Sequence, residues 1–162
     1  MNTTKKIFII LILAFIMLFL ISNILKPFLP NAFIPNIILI FVIFLSFNET
    51  NIFGLVLSFF LGLLLDISTS TLLGPWSASF VIIYTMFAIL SGRIFIDTTI
   101  SLIIITAISS IICDIVYTVL IFTFLANTNN FSFDILIGSI VTAIFSPFIV
   151  YILRKYYPIK NR

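Results

Sequence analysis

Ionisable side chains are scarce in this sequence: Asp, Glu, Lys and Arg together make up 8% of its 162 residues. A soluble globular domain carries about 25% charged residues. Apolar residues make up 62% of the chain, and they recur in long runs, most of them near the roughly 20 residues needed to cross the hydrocarbon of a bilayer. The composition therefore excludes a water-soluble domain. It predicts a single integral membrane domain over residues 1–162, surrounded by membrane lipid.

Histidine is absent and cysteine occurs once, at Cys113. The missing histidine removes the commonest metal ligand and general base, and one cysteine cannot form an intrachain disulfide. The sequence also lacks a Gly-rich phosphate loop, a metal-ligand spacing and a nucleophile–base pair. We therefore expect no catalytic, cofactor-binding or metal site. The net charge of +3 comes from basic residues at the termini and one turn, not from a continuous patch, which argues against nucleic-acid binding.

The apolar runs predict six transmembrane helices separated by polar or proline-containing turns. Pro27 and Pro30 follow the first run, the cluster Asn48-Glu49-Thr50-Asn51 ends the second, and Gly74-Pro75 precedes the fourth. The second run is short for a membrane span. The predicted helices cover residues 7–25, 33–47, 52–67, 75–91, 98–126 and 133–156.

Six helices place both termini on one side of the membrane. If that side is the cytoplasm, seven basic residues are cytoplasmic and Lys26 lies outside, which is the bias described by the positive-inside rule. The seven are Lys5, Lys6, Arg93, Arg154, Lys155, Lys160 and Arg162. A re-entrant second segment would give five helices and place the C-terminal basic cluster outside. The charge distribution therefore favours a multi-pass protein of the cytoplasmic membrane with both termini cytoplasmic.

Small residues recur every four positions along the third predicted helix, at Gly54, Ser58 and Gly62, and the series ends at Asp66. This spacing places them on one face, where small side chains let another helix backbone approach closely. The face can pack within the protein or against a partner, and both interpretations remain open. The fifth and sixth helices carry similar faces, so the faces of helices three, five and six can pack on one another. These faces comprise Thr106, Ser110, Asp114 and Thr118 on helix five, and Gly138, Thr142 and Ser146 on helix six.

Asp66 and Asp114 lie inside predicted spans, where a charged side chain costs about 2.5–3.5 kcal/mol on insertion scales. Each carboxylate should therefore be hydrogen-bonded, neutralised or turned into the protein. For Asp66 we expect hydrogen bonds to the hydroxyls and amides of the turn at residues 68–71, and for Asp114 a bond to a neighbouring Ser, Thr or Tyr. Asparagine would keep much of that capacity. A catalytic pair of carboxylates, or a shared cation, is the alternative, but no base or nucleophile accompanies them in sequence.

The segment Phe53–Phe80 contains a glycine-spaced helix ending in Gly-Leu-Leu-Leu-Asp, a polar turn, Leu-Gly, and a helix with small residues. The run I-P-N-I-I-L-I, Ile34–Ile40, precedes it, and I-C-D-I-V-Y, Ile112–Tyr117, and a Ser-Pro pair follow it. In this order and spacing the segments resemble the MreD family of bacterial rod shape-determining proteins. The residues that match the family pattern are Pro35, Gly54, Gly62, Asp66, Gly74, Asp114 and Pro147.

The resemblance implies a non-enzymatic membrane scaffold of the cell-elongation machinery, without cofactor or catalytic residue. It implies binding to the bitopic protein MreC and, with the actin-like MreB, RodA and a class B penicillin-binding protein, control of cell shape and lateral peptidoglycan synthesis. Together with Ser58, the matching residues are expected to pack helices or bind a partner.

The alternative comes from another class, the substrate-binding S-components of energy-coupling-factor vitamin transporters. These proteins are similar to this chain in architecture, because they are also all-α membrane proteins with a six-transmembrane-helix bundle of this size. Their first helix carries an Ala-xxx-Ala docking face, whereas the first helix here has Ala14 alone. Thermal stabilisation by a vitamin would favour this alternative.

Overall fold

The computed structural model of the chain describes residues 12–19, 27–28, 30, 33–49, 51–69, 73–91, 99–125 and 134–156. These residues form six α-helices and no strand. Helix α1 comprises residues 12–19, inside the first predicted helix. The others are α2 (Ile37–Asn48), α3 (Ile52–Thr69), α4 (Pro75–Leu90), α5 (Thr99–Leu125) and α6 (Asp134–Tyr156). The predicted all-α, six-helix fold class is confirmed.

Three helices are long and apolar enough to cross a membrane, over Ile52–Thr69, Thr99–Thr123 and Leu136–Lys155. The helices α2 and α4 are also apolar but have 12 and 16 residues. At 1.5 Å per residue their lengths are about 18 Å and 24 Å, less than the roughly 30 Å of a hydrocarbon core. The chain is therefore a membrane protein with transmembrane helices, in which two helices are shorter than a full crossing.

Helix α2 lies at the centre of the bundle. It packs against α3, α4, α5 and α6, while α3 with α4, α4 with α5, and α5 with α6 form successive pairs around it. Every residue from Ile37 to Ser46 is buried, as expected for a helix that is apolar on all sides. Burial by neighbouring helices explains how a segment too short to span the membrane alone forms a stable helix within it.

A proline and an asparagine determine where α2 begins. The helix was expected from residue 33 but begins at Ile37, because a residue before proline disfavours helical geometry and Asn36 is the N-cap. The Asn36 side-chain oxygen accepts a hydrogen bond from the Leu39 amide at 3.2 Å. The Asn36 amide in turn donates to the Thr142 hydroxyl of α6 at 2.9 Å. The irregular backbone before α2 is thus satisfied from within the protein, as a membrane interior requires.

Helix α6 continues through an internal proline, Pro147. Proline has no amide hydrogen to donate to the carbonyl four residues earlier, which here belongs to Ala143. The buried Ser146 hydroxyl donates to that carbonyl oxygen at 2.8 Å. The serine therefore supplies the hydrogen bond that the proline cannot make, which allows the helix to pass this point without an unsatisfied carbonyl.

Candidate functional site

The small residues of α3 lie where this helix meets α4. Gly54, Ser58, Gly62 and Asp66 are all buried, whereas Phe53 on the other side of α3 is 60% exposed. The Ser58 hydroxyl donates to the Gly54 carbonyl oxygen at 2.8 Å, so its polar atom needs no partner on another helix. In the structure this face packs within the chain.

Gly62 brings the backbones of α3 and α4 into direct contact. A Cβ at this position would lie 2.7 Å from the Ser77 amide nitrogen and closer still to the Ser77 Cα. Real Cβ atoms essentially never approach other atoms within 3.0 Å, and a backbone cannot rotate away as a flexible side chain can. The two helices can therefore approach this closely only while position 62 is glycine.

A second contact joins the other end of this face to α4 through Tyr84. A Cβ on Gly54 would lie 2.8 Å from the Tyr84 ring atom Cε2. The buried Tyr84 hydroxyl donates its one hydrogen to the backbone carbonyl oxygen of Glu49 and lies 3.0 Å from that of Asn51. These carbonyls belong to the turn between α2 and α3, so Tyr84 holds that turn against α4.

Asp66 caps the first turn of α4 from a different helix. Its Oδ2 accepts hydrogen bonds from the backbone amides of Gly74 at 3.0 Å and Ser77 at 3.2 Å. Its Oδ1 accepts from the amide of Trp76 at 3.1 Å. The amides at a helix N-terminus have no intrahelical acceptors and carry the positive end of the helix dipole, which makes an anion favourable there. Asp66 itself is 1% exposed.

These partners differ from the ones expected for Asp66 from the sequence. The Ser68 and Thr69 hydroxyls donate to the Leu65 carbonyl oxygen, and Thr69 also reaches the Asp66 carbonyl oxygen. In a helix, such hydroxyls return to carbonyls three or four residues earlier. The expectation of hydroxyl bonds to the carboxylate is therefore wrong for these two residues, and residues 70–71 lie outside the described part of the chain.

Gly74 gives α4 its N-cap through a backbone conformation that favours glycine. Its φ angle is +126°, which other residues rarely adopt. Its carbonyl oxygen accepts hydrogen bonds from the Ala78 amide and the Ser77 hydroxyl, both at 2.8 Å. A Cβ at Gly74 would meet nothing within 4 Å, so the position needs glycine for its conformation and not for space.

Asp114 lies elsewhere, half-buried on α5. The Thr118 hydroxyl, one turn further on, donates to the Asp114 backbone carbonyl oxygen at 2.7 Å and not to its carboxylate. Helices α3 and α5 each pack against α4 but make at most marginal contact with each other in the described residues. The structure therefore does not pair Asp114 with Asp66, and the described residues contain no cluster of acidic, Cys and His side chains that could hold a metal ion.

The faces of small residues do not all meet as expected. Helix α5 packs on α6, but α3 packs on α4 and α2, so of the three faces that could pack together only those of α5 and α6 belong to helices that meet in the described residues. The small residues that open α4, Ser77-Ala78-Ser79, were noted in the sequence but not considered as the surface that the face of helix three meets. Of the remaining predicted residues, Pro35 precedes the N-cap of α2 and Pro147 lies inside α6. Neither proline belongs to the contact between α3 and α4.

Comparison of the sequence with known protein families gives one match that covers nearly the whole chain. A sequence profile of the family described as rod shape-determining protein MreD matches residues 1–156. That family consists of shape-determining structural proteins and is not a known enzyme family. Searches of curated proteins and of solved structures found no match, so the similarity to the S-component fold stays a prediction. Because the profile covers nearly the whole sequence, the chain belongs to the MreD family of rod shape-determining proteins.

Proposed function

We propose that this protein is a non-enzymatic scaffold of the bacterial cell-elongation machinery, spanning the cytoplasmic membrane several times with both termini in the cytoplasm. It binds the bitopic protein MreC and acts with MreB, RodA and a class B penicillin-binding protein in a larger complex. Through that complex it helps to control cell shape and lateral peptidoglycan synthesis. The family match over residues 1–156 carries the proposal, because membership supports a role in rod shape determination.

The geometry around Asp66 supports a structural role for its carboxylate. Both carboxylate oxygens accept hydrogen bonds from backbone amides at the start of α4. The acid therefore holds one helix against another and does not point a free oxygen towards a substrate. The close approach of Gly62 to the Ser77 backbone also fixes α3 against α4. A rigid α3–α4 pair of this kind suits a protein whose task is to present a fixed surface to partners within the membrane.

The association with MreC is tested by co-purification. The affinity-tagged chain and MreC are expressed in the same cells, and the membranes are dissolved in a mild detergent. We expect MreC to be recovered with the wild-type chain and with Leu63→Ile, a conservative change beside the α3–α4 contact. Gly62→Leu should lower the recovery of MreC per molecule of chain, because it separates the two backbones.

The control for non-specific recovery is an unrelated polytopic membrane protein carrying the same tag. Recovery of MreC with the wild-type chain no higher than with this control would reject the proposed association. A second readout is cell shape. Rod-shaped cells depleted of the protein should become round, and the wild-type chain should restore the rod.

A further inference from the structure

The outward side of α6 carries a row of exposed residues whose chemistry changes towards the end of the helix. We call this row the α6 stripe, and it consists of Ile144, Phe148, Tyr151 and Lys155. Successive members are four, three and four residues apart, which places them on one face of the helix. The first three are 63%, 64% and 71% exposed, and Lys155 is exposed as well. Along the stripe an aliphatic side chain is followed by an aromatic ring, a phenol and an ammonium group.

The α6 stripe has the length of one leaflet of a bilayer. It ends at Lys155, which is also the last residue of the span Leu136–Lys155. From Ile144 to Lys155 the distance along the helix axis is about 16 Å at 1.5 Å per residue, roughly half of a 30 Å hydrocarbon core. The apolar part of the stripe therefore lies beside the acyl chains of one leaflet, and Lys155 lies at the depth of the headgroups. A tyrosine close to this level is typical of membrane–water interfaces.

Positive charge is concentrated at this end of α6. Residues 154–162 contain four basic and no acidic side chains. The basic ones are Arg154, Lys155, Lys160 and Arg162, and the first two form part of the last helical turn. Glu49 follows α2, a neighbour of α6 in the bundle, and one carboxylate can neutralise at most one of these four charges. The end of α6 therefore keeps a net positive charge beside the headgroup layer.

We propose that the α6 stripe binds an anionic phospholipid, with an acyl chain along Ile144 and Phe148 and the phosphate at Tyr151 and Lys155. A phospholipid matches both parts of the stripe, because it joins apolar chains to a negative headgroup at the depth where the stripe changes. The Lys155 ammonium and the Tyr151 hydroxyl donate to no acceptor in the described part of the chain, and both are suitable donors to phosphate oxygens. Their Cβ atoms, one helical turn apart, are separated by about 5–6 Å, so one phosphate can accept from both.

The net charge of the headgroup determines which phospholipid fits. Phosphatidylethanolamine carries an ammonium that compensates its phosphate, whereas phosphatidylglycerol keeps a net negative charge. Each Lys or Arg near an anionic membrane surface strengthens the attraction by about 5-fold, the equivalent of about 1 kcal/mol. In the orientation proposed above the bound lipid belongs to the cytoplasmic leaflet. The inference requires no protein partner and therefore goes beyond the proposed scaffold function.

The test titrates the purified full chain in a neutral detergent with dioleoyl phosphatidylglycerol or dioleoyl phosphatidylethanolamine, and native mass spectrometry measures the bound lipid. We expect the wild-type chain to bind phosphatidylglycerol at least about 5-fold more tightly than phosphatidylethanolamine. Lys155→Gln should weaken the binding of phosphatidylglycerol about 5-fold, whereas Lys155→Arg should bind it like the wild type. Tyr151→Phe removes only the hydroxyl and should weaken the binding about 2- to 10-fold, the range for one hydrogen bond.

The matched control is Lys26→Gln, which removes the same charge outside the α6 stripe and should leave the affinity unchanged. Equal weakening by Lys26→Gln and Lys155→Gln would show that net charge and not this site attracts the lipid, and would reject the inference. Glycerol phosphate, which lacks acyl chains, should not displace the lipid, and displacement would identify a site for free phosphate instead. Equal affinity of the wild-type chain for both lipids would also reject the inference and would leave an acidic protein segment as the occupant of this end of α6.

Thermal unfolding in lipid-free detergent separates lipid binding from folding. Because Lys155 is exposed, Lys155→Gln should unfold at the same temperature as the wild type. Added phosphatidylglycerol should raise the midpoint of the wild type more than that of Lys155→Gln, since a ligand stabilises the state that binds it. A lower midpoint for Lys155→Gln without lipid would assign Lys155 a structural role and overturn the inference.

Discussion

Asp66 stabilises the start of α4 because its two oxygens are acceptors for amides that the helix cannot satisfy itself. Oδ2 receives two amides and Oδ1 receives one, so every contact of the carboxyl group with α4 is with a donor. This arrangement distinguishes a carboxylate from its closest neutral analogue. An asparagine side chain has one acceptor oxygen, and its amino group would face an amide that also needs an acceptor.

The first prediction is that Asp66→Asn destabilises the protein by about 1.5–3 kcal/mol, the range for hydrogen bonds to a charged group. This reverses the expectation from sequence, by which asparagine would keep much of the hydrogen-bonding capacity. The measurement is the denaturation midpoint of the purified protein in detergent. Asp114→Asn is the matched control and should leave the midpoint nearly unchanged. Equal midpoints for Asp66→Asn and the wild type would show that the cap contributes little.

The second prediction concerns Gly62→Ala, which adds one methyl group at the contact between α3 and α4. In a free helix, glycine to alanine stabilises by about 1 kcal/mol. Here Gly62→Ala should instead destabilise by about 1–3 kcal/mol, because the new Cβ would overlap the Ser77 backbone. Gly62→Leu should be worse, whereas Leu63→Ile should stay close to the wild type. The measurement is again unfolding in detergent, and stabilisation by Gly62→Ala would contradict the close contact.

At the scale of the helix, hydroxyl groups satisfy the backbone where regular hydrogen bonding fails. Thr142 accepts from the amide of Asn36 before α2 begins. It also donates to the Gly138 carbonyl oxygen of its own helix at 2.7 Å. The Ser146 hydroxyl donates to the Ala143 carbonyl oxygen beside the proline of α6. Because a bilayer offers no water to replace these bonds, each hydroxyl makes an irregular backbone tolerable at that position.

The third prediction is that the cost of removing the Ser146 hydroxyl depends on Pro147. Ser146→Ala should destabilise the wild-type chain by about 1–3 kcal/mol, because it leaves a buried carbonyl without a donor. In a Pro147→Ala background the same change should cost little, since residue 147 then has an amide hydrogen to donate to Ala143. Unfolding midpoints of the four proteins complete the cycle. Strictly additive effects would show that the two residues act independently.

The sequence predicted the existence of the helices far better than their arrangement. Run length and breaker residues are local, and they are enough to separate six apolar segments. The position of α2 at the centre could not be predicted, because a helix that is apolar on all sides has no face that indicates its neighbours. The start of α2 at Ile37 could have been predicted, since Asn36 is a typical N-cap residue placed directly before an apolar run.

The candidate site was predictable in part for a related reason. The four-residue spacing identified the face of α3 and included Asp66, because helical periodicity determines which side chains share a side. The donors to Asp66 could not be identified, since they are backbone amides and no residue type marks them. The contacts of Tyr84 could not be identified for the same reason, because they are with the carbonyl oxygens of a turn. Sequence indicates where a face lies, and tertiary packing decides what it meets.

At the scale of the whole molecule, the turn between α2 and α3 is held in place by another helix, α4. Tyr84 is the tenth residue of α4 and contacts the turn that joins α2 to α3. The α4 residue that holds this turn lies about 9 Å before the end of the helix at Leu90. The α2–α3 turn is thus held by a residue inside α4 and not by the end of that helix.

The last prediction assigns the two sides of the membrane. Single cysteines are introduced in a Cys113→Ser background, because the native thiol is free, although buried. Cysteines at Asn2, Gly92 and Asn161 should be protected in whole cells from a thiol reagent that cannot cross the membrane, whereas one at Thr128 should react. The reason is that seven of the eight basic residues fall on the cytoplasmic side of a six-crossing arrangement. Permeabilised cells are the control, because all four cysteines should then be labelled. Reaction at Asn161 in intact cells would require an odd number of crossings between Asn2 and the C-terminus and would overturn the six-crossing topology, while the described contact between α3 and α4 would stand.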